Sequence, residues 1–378
     1  MNRIAAVTTL ALLAVAACAQ DNNVTGLAAD RALTLNASSA AAGADAPGAV
    51  YALTNRASGN AVAMYARSAD GSLSWSGTFS TGGIGAGSSL GSQGALALSD
   101  DGRWLFAVNA GSNDVSAFQV TAGGLSLTSR AASGGIGPIS LTVHGDVVYV
   151  LNAGGDGNIS GFNVGTDGAL APIPGSTRAL SASAVGPAQV SFSPNGRWLI
   201  VTEKATSRLD VYAVGSDGVA SAAITTASAG GTPFGFAFGH RDELFVSEAA
   251  GSASSYAIGD NGTLSVASGA VLTHQGAPCW AVVTKNGKFG YTANAQGGSI
   301  SGFAIDQDGS IGLIDADGRS AVVGGGNIDL AVSGNSRYLY ELNGNRSISG
   351  FRIEADGHLT AVGNVAGLPA STVGLVAR

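Results

Sequence analysis

Between Trp198 and Tyr212 the chain reads WLIVTEKATSRLDVY, and Glu203, Lys204, Arg208 and Asp210 fall within eight positions. Only 11% of the 378 residues are charged, so this is a concentration. A carboxylate beside a cation is the pair that acid–base chemistry at a carbonyl needs. The carboxylate takes a proton from water or from carbon, and the cation holds the oxyanion that develops. The same residues also make an ordinary solvated hairpin, with Arg208 paired to Glu203 or Asp210. The decision rests on what stands at the equivalent place elsewhere, because the chain repeats itself.

The repeats are FAVNAGSNDVSAFQV, VYVLNAGGDGNISGFNV, LIVTEKATSRLDVYAV, LFVSEAAGSASSYAI, GYTANAQGGSISGFAI and LYELNGNRSISGFRI, with YALTNRASGNAVAMYAR as an earlier copy. Each reads as a strand of alternating apolar residues, a Gly/Ser/Asn turn and a second such strand. Aligned, they share a column at Asn55, Asn109, Asn152, Glu203, Glu248, Asn294 and Asn343, at intervals of 54, 43, 51, 45, 46 and 49 residues. A second marker keeps the same beat: Asp70-Gly71, Gly123-Gly124, Asp167-Gly168, Asp217-Gly218, Asn261-Gly262, Asp308-Gly309 and Asp356-Gly357. Such pairs suit type I′ turns and join a third strand to a fourth. A further apolar strand precedes each later copy: ALALS, SLTVH, QVSFS, GFAFG, WAVVT and DLAVS. Four antiparallel strands in each of seven repeats predict an all-β, seven-bladed β-propeller over residues 49–378. The first copy lacks its inner strand and STVGLVAR at the far end is an unpaired apolar strand, so the C-terminal strand is expected to close the ring.

Composition agrees. There are 58 glycines and nine prolines, 45% of residues are hydrophobic, and the net charge of −7 is spread thinly. No basic stripe exists for nucleic acid. Residues 1–17 read as a signal peptide: MNR, a 14-residue apolar run, then Cys18. Val15-Ala16-Ala17-Cys18 resembles a bacterial lipobox, with Cys18 lipidated; cleavage after Ala17-Cys18-Ala19 is the alternative. Residues 18–48 read as a flexible Ala/Ser-rich tether. The expectation is a monomer of the bacterial cell envelope, lipid-anchored, periplasmic or secreted, touching membrane only through that anchor. An exported chain whose Cys18 carries lipid must be held by its core rather than by a disulfide.

In a propeller blade the second strand ends, and the inner strand begins, on the face where loops converge on the central channel. The column therefore places Glu203 and Glu248 at that mouth, with Gln189, Trp280 and Asp329 from inner-strand starts and Cys279 adjacent. Asn in the other five blades caps a turn; Glu does this less well and needs another cause. Trp280 either stacks on a ligand ring or plugs the channel. The G-x-S-x-G string at Gly87–Gly91 lies in a Gly/Ser loop rather than a strand-to-helix elbow, and the Asp-rich turn at Asp306 is explained as a hairpin. His144, His240, His274 and His358 are scattered, so no metal site and no cofactor is expected.

GPAQVSFSPNGRWLIVTEKATSRLDVYAV, with the blades around it, resembles the seven-bladed propeller lactonase family, which includes 6-phosphogluconolactonases and carboxymuconate lactonizing enzymes. The resemblance covers nearly everything from residue 49 onward. It implies that the family acid falls on Glu203 and the family Arg on Arg208, as catalytic residues. The family His falls on Ala188, with Gln189 beside it, which removes the usual proton shuttle near neutral pH. The implied chemistry is lactone opening or closure, with Glu203 as general base and Arg208, Lys204 or Arg56 on the carboxylate or oxyanion. Gln189, Glu248, Trp280 and Asp329 would line the same substrate site. The alternative is a non-catalytic propeller that binds a protein or glycan at its mouth or rim.

Overall fold

The computed structural model describes residues 46–378, apart from 240, 241 and 325. The signal peptide, Cys18, His240 and nearly all of the tether lie outside the described residues. All regular structure among the described residues is strand, arranged in seven antiparallel sheets. Blade 4 is typical: Pro187–Phe192 is innermost, then Trp198–Glu203, Arg208–Ala213 and Ile224–Ala227. In blade 1 the order outward is Val373–Ala377, Gly48–Leu53, Ala61–Arg67 and Leu73–Ser80. The C-terminal strand thus closes the ring, with Val50 opposite Ala377 and Ala52 opposite Leu375.

Second strands are not amphipathic. WLFAVN, WLIVTE and YLYELN are buried at all six positions, because each blade packs on a neighbour through both faces. Alternation survives only in outer strands such as Leu73–Ser80, which have one wet face. The Asp-Gly turns also depart from type I′. Gly71, Gly168, Gly218, Gly262, Gly309 and Gly357 have positive φ, whereas the Asp or Asn before each does not. Gly71 N donates to Ser68 O and Ser68 N to Ser72 O, so the loop is a five-residue turn whose glycine supplies the left-handed step. Asp70 Oδ1 accepts from Ser72 N, an Asx contact repeated at Asp167, Asp217, Asn261, Asp308 and Asp356. The side-chain acceptor does locally what a second left-handed residue would do in a shorter turn.

These turns also register the blades. Tyr149, Tyr291 and Tyr340 hydroxyls donate at 2.7–2.8 Å to the carbonyls of Gly218, Gly357 and Gly71, each in the next blade round the ring. One seam breaks the pattern. Two residues before the column stand Leu53, Ala107, Val150, Val201, Val246 and Thr292, but blade 7 has Glu341. Glu341 is fully buried and neither carboxyl oxygen has a partner. Burial holds its pKa well above the usual carboxylate range. The folded state then keeps a proton that the unfolded chain gives up, so stability falls as pH rises from the ordinary carboxylate pKa toward the folded one. Glu341→Val is expected to raise stability by about 1–3 kcal/mol at neutral pH. It should also flatten the decline in melting temperature between pH 5 and pH 8. Equal melting curves for the two proteins would disprove this.

Candidate functional site

Inner strands of blades 3 to 7 slip register at their first residues: after Pro138, Pro187, Pro233, Pro278 and Asn327. Proline has no amide hydrogen for the ladder, and the residues that follow bulge out. Bulged Ala188, Phe234 and Cys279 are buried in one apolar cluster with Trp280. The Phe234 and Trp280 rings meet edge to face at 5.3 Å. This is the apolar floor of the channel mouth.

The segment Gly82–Gln93, which enters blade 2, crosses above that floor. Lys204 Nζ of blade 4 donates to Gly91 O, and Trp280 Nε1 of blade 6 donates to Ser92 O at 3.0 Å. Ser92 Oγ bonds Ile139 O in blade 3, and Gln93 N bonds Ala188 O in blade 4. Gln93 Nε2 and Oε1 clamp Ala281 O and N in blade 6 at 2.7 and 2.9 Å. Contacts with blades 3, 4 and 6 from a blade 2 segment are possible only on the axis, so the segment seals the mouth. Gly235 lets Gln93 pass, since a Cβ there would stand 2.0 Å from Gln93 Oε1.

Lys204 is 7% exposed, with its amine 5.0 Å from the Phe234 ring centroid. Burial lowers its pKa to about 8. Among the described residues no carboxylate pairs with it. Beneath the plug lies a cavity of about 320 Å³ walled by inner strands, with Gln93, Thr142, Gln189, Ser191 and Asp329 as its polar residues. Gln189 clamps Phe236 O and N in the next blade. Asp329 accepts from Leu330 N and Leu375 N, and burial raises its pKa well above the usual range. Both side chains stitch inner strands together.

Glu203 and Glu248 do not open onto this mouth. Each Glu is the last residue of its strand and turns into the seam with the preceding blade, whereas Lys204 is the first residue of the turn that follows Glu203 and reaches the plug. Glu203 accepts from Ser181 N, Ser181 Oγ and Thr206 Oγ1, clamping the segment that arrives from blade 3. Glu248 does the same for blade 5 through Ser228 Oγ, Gly230 N, Ser252 Oγ and Ser254 Oγ. Four of the five Asn column members donate instead to hydroxyls on their own third strand, as Asn109 to Ser116 and Asn294 to Ser301, while Asn55 donates to Ser88 O. In blade 4 the third-strand partner is Asp210. Burial pushes the Asp210 carboxyl up to about 7, with the hydrogen bond and charge of Glu203 adding to it. Arg56 is exposed on the loop after the second strand of blade 1, and Arg208 is exposed at the start of the third strand of blade 4, opposite Glu203.

The family model for the seven-bladed β-propeller lactonases matches residues 58–185 and 240–319, more than half of the chain. The chain belongs to this lactonase family. No curated protein sequence matches it. The periplasmic gluconolactonase of Pseudomonas aeruginosa aligns with a TM-score of 0.68 at 20% identity, over 87% of this chain and 98% of that one. A candidate 6-phosphogluconolactonase from Bacteroides fragilis gives 0.67 at 18%, over 87% and 97%. Hydrazine synthase of Kuenenia stuttgartiensis gives 0.52 at 17%, over 68% of this chain and 75% of that one. At these identities the structural likeness speaks for the fold alone.

Within this lactonase-family chain, the position of the family His falls on the first bulge residue of blade 4, where Ala188 is fully buried under Gln93. Sequence reasoning named Lys204 and Trp280 but missed Phe234, Gln93 and the plug. One signal for the plug was available: Asn55 to Asn109 is the longest interval in the column, and the surplus is the Gly/Ser-rich run before Gln93.

Proposed function

We propose that this protein opens or closes the lactone of a small carboxylic or sugar acid at the channel mouth, with Lys204 Nζ and Trp280 Nε1 holding the acyl oxygen. The observation that carries this reading is that both donors, from different blades and buried over an aromatic floor, already point at carbonyl oxygens. Water attacks the lactone carbonyl, and the charge that gathers on its oxygen meets an ammonium and an indole N–H. The ring C–O bond breaks, and the departing alkoxide takes up the proton that the water releases. A Lys204 pKa of about 8 keeps the ammonium present at neutral pH. In this reading Glu203 is a positioning residue: its clamp on Ser181 fixes the strand end that carries Lys204. Arg208, on the surface, meets the substrate carboxylate as it arrives.

Purified protein assayed against a panel of aliphatic and sugar lactones tests the proposal. Turnover of at least one lactone is expected, with Arg208→Ala raising KM while leaving kcat. The second reading, a non-catalytic propeller that binds a protein or glycan, is favoured by the sealed mouth and predicts no turnover of any lactone. A cell-envelope location follows from the signal-peptide reading, and the periplasmic relative supports it. Recovery of the protein in the cytosolic fraction would remove that location.

A further inference from the structure

The Gly91–Ser92 peptide sits where a ligand should. Its two carbonyl oxygens take the buried ammonium of Lys204 and the indole N–H of Trp280, and it lies over Phe234 and Trp280. No other blade brings its entry segment across the axis in this way, among the described residues. The blade 2 entry differs in composition too: GGIGAGSSLGSQG contains six glycines, of which Gly82, Gly87, Gly91 and Gly94 have positive φ. The first half, Gly82–Ser88, is pinned along its length: Arg130 donates to Gly82 O, Ser112 Oγ accepts from Ile84 N, Arg56 O from Gly85 N, and Asn55 grips Ala86 N and Ser88 O. Beyond Ser88 the segment is held by Lys204, Trp280 and the Gln93 clamp. Ser88 is exposed, and Ser89 and Leu90 are half-buried.

We infer that this peptide is an internal stand-in for the acyl group of the substrate, and that Ser89–Gln93 is a lid that withdraws to admit a lactone or carboxylate of low polarity. The ligand class follows from what the lid would uncover. Lys204 and Trp280 offer one donor each, and these now take two successive carbonyls, of Gly91 and Ser92. The remaining surface is Ala188, Phe234 and the Trp280 ring, with Cys279 beside them held in a disulfide, and it has no side-chain partner for ring hydroxyls or for a phosphate. Gln93, Gln189 and Asp329 in the cavity below are spent on neighbouring backbone, and Thr142 and Ser191 each bond Phe192. A compact aliphatic or unsaturated lactone therefore fits better than a sugar lactone. The lowered pKa of Lys204 agrees with an amine kept dry by the lid. The lid stands on its own geometry; only the identity of its ligand rests on the lactonase reading.

The chain has three lysines, Lys204, Lys285 and Lys288, and the last two provide an internal reference. Trinitrobenzenesulfonate labelling at pH 8, followed by peptide mass spectrometry, reports each separately. In the wild type Lys204 should react at least fiftyfold more slowly than Lys285 or Lys288. Gln93→Ala cuts the clamp on Ala281 and should accelerate Lys204 labelling at least tenfold without changing the other two. Trp280→Phe keeps the floor but releases Ser92 O, and should accelerate it severalfold, so the inference does not depend on one variant. In Gln93→Ala, γ-valerolactone or its hydroxy acid should restore protection, and gluconate should not. Lys204 reacting in the wild type as fast as the reference lysines would overturn the lid. So would an unchanged rate in both variants with circular dichroism like wild type. Protection by gluconate alone would overturn the ligand class. None of these readouts requires turnover, so the lid survives or falls separately from the lactonase reading.

Discussion

A chain that ends at Ala370 is expected to melt about 5–10 °C below the full-length protein. Residues 371–378 carry the innermost strand of blade 1, with Val373 and Leu375 buried and laddered to Leu53 and Ala52. Burying each of these side chains is worth about 1.5–3 kcal/mol. Leu375 N also donates to Asp329, a buried carboxyl that would keep only the Leu330 amide. Leaving a buried carboxyl short of a donor costs roughly another 1–3 kcal/mol. A loss of about 5 kcal/mol corresponds to ~5–10 °C for a domain of this size. Adding the peptide STVGLVAR in trans should recover part of the loss. A truncated protein that melts with the full-length one would show that the ring does not depend on this strand.

Lys204→Met is expected to reduce turnover of the best lactone by about two orders of magnitude, the range seen when one oxyanion donor is removed. Met keeps the apolar stem against Phe234, so the fold should stand. It should even melt higher below pH 8, because the folded pKa of Lys204 lies under its unfolded value. The cost of the buried charge is then complete below about 8 and fades as pH rises toward the unfolded value near ~10.4. For catalysis the sign is opposite. The ammonium is the working form, so wild-type kcat/KM should fall as pH passes about 8, and the residual rate of Lys204→Met should not follow that fall. Full activity in Lys204→Met would place the chemistry elsewhere.

The architecture was legible because a propeller repeats its grammar. Asp-Gly turns and the Asn/Glu column recur in every blade, and the incomplete first copy matched the spare strand at the end. The hidden part concerns direction. Sequence spacing put Glu203 at the end of a strand on the loop face, correctly, but not which way its side chain turns. The strand ends at Glu203, whose side chain is held in the seam, and the turn that begins at Lys204 carries that side chain to the mouth. The bulges after Pro187 and Pro278 then re-aim Ala188 and Cys279, a shift of register that residue types do not announce. Asp210 was visible in the sequence as one of four clustered charges, yet its pairing with Glu203 needs a cross-strand contact. Glu341 was masked by its neighbours: in YLYELN one acid among apolar residues reads like a strand end, not like an orphan in a seam.

The closing strand has one more consequence, for how copies of this chain meet. Val50 can pair with Ala377 only after nearly the whole polypeptide has been arranged, and the entropy of closing so long a loop is settled last. Until then blade 1 shows an unpaired inner edge, and Val373–Ala377 is a short sticky end with nothing to distinguish its own blade 1 from that of another molecule. The yield of monomer is therefore a contest between the effective concentration of the tethered strand and the actual concentration of neighbours. In dilution each ring seals itself; in crowded refolding the same strand is an exchangeable part, and molecules can be linked by lending it.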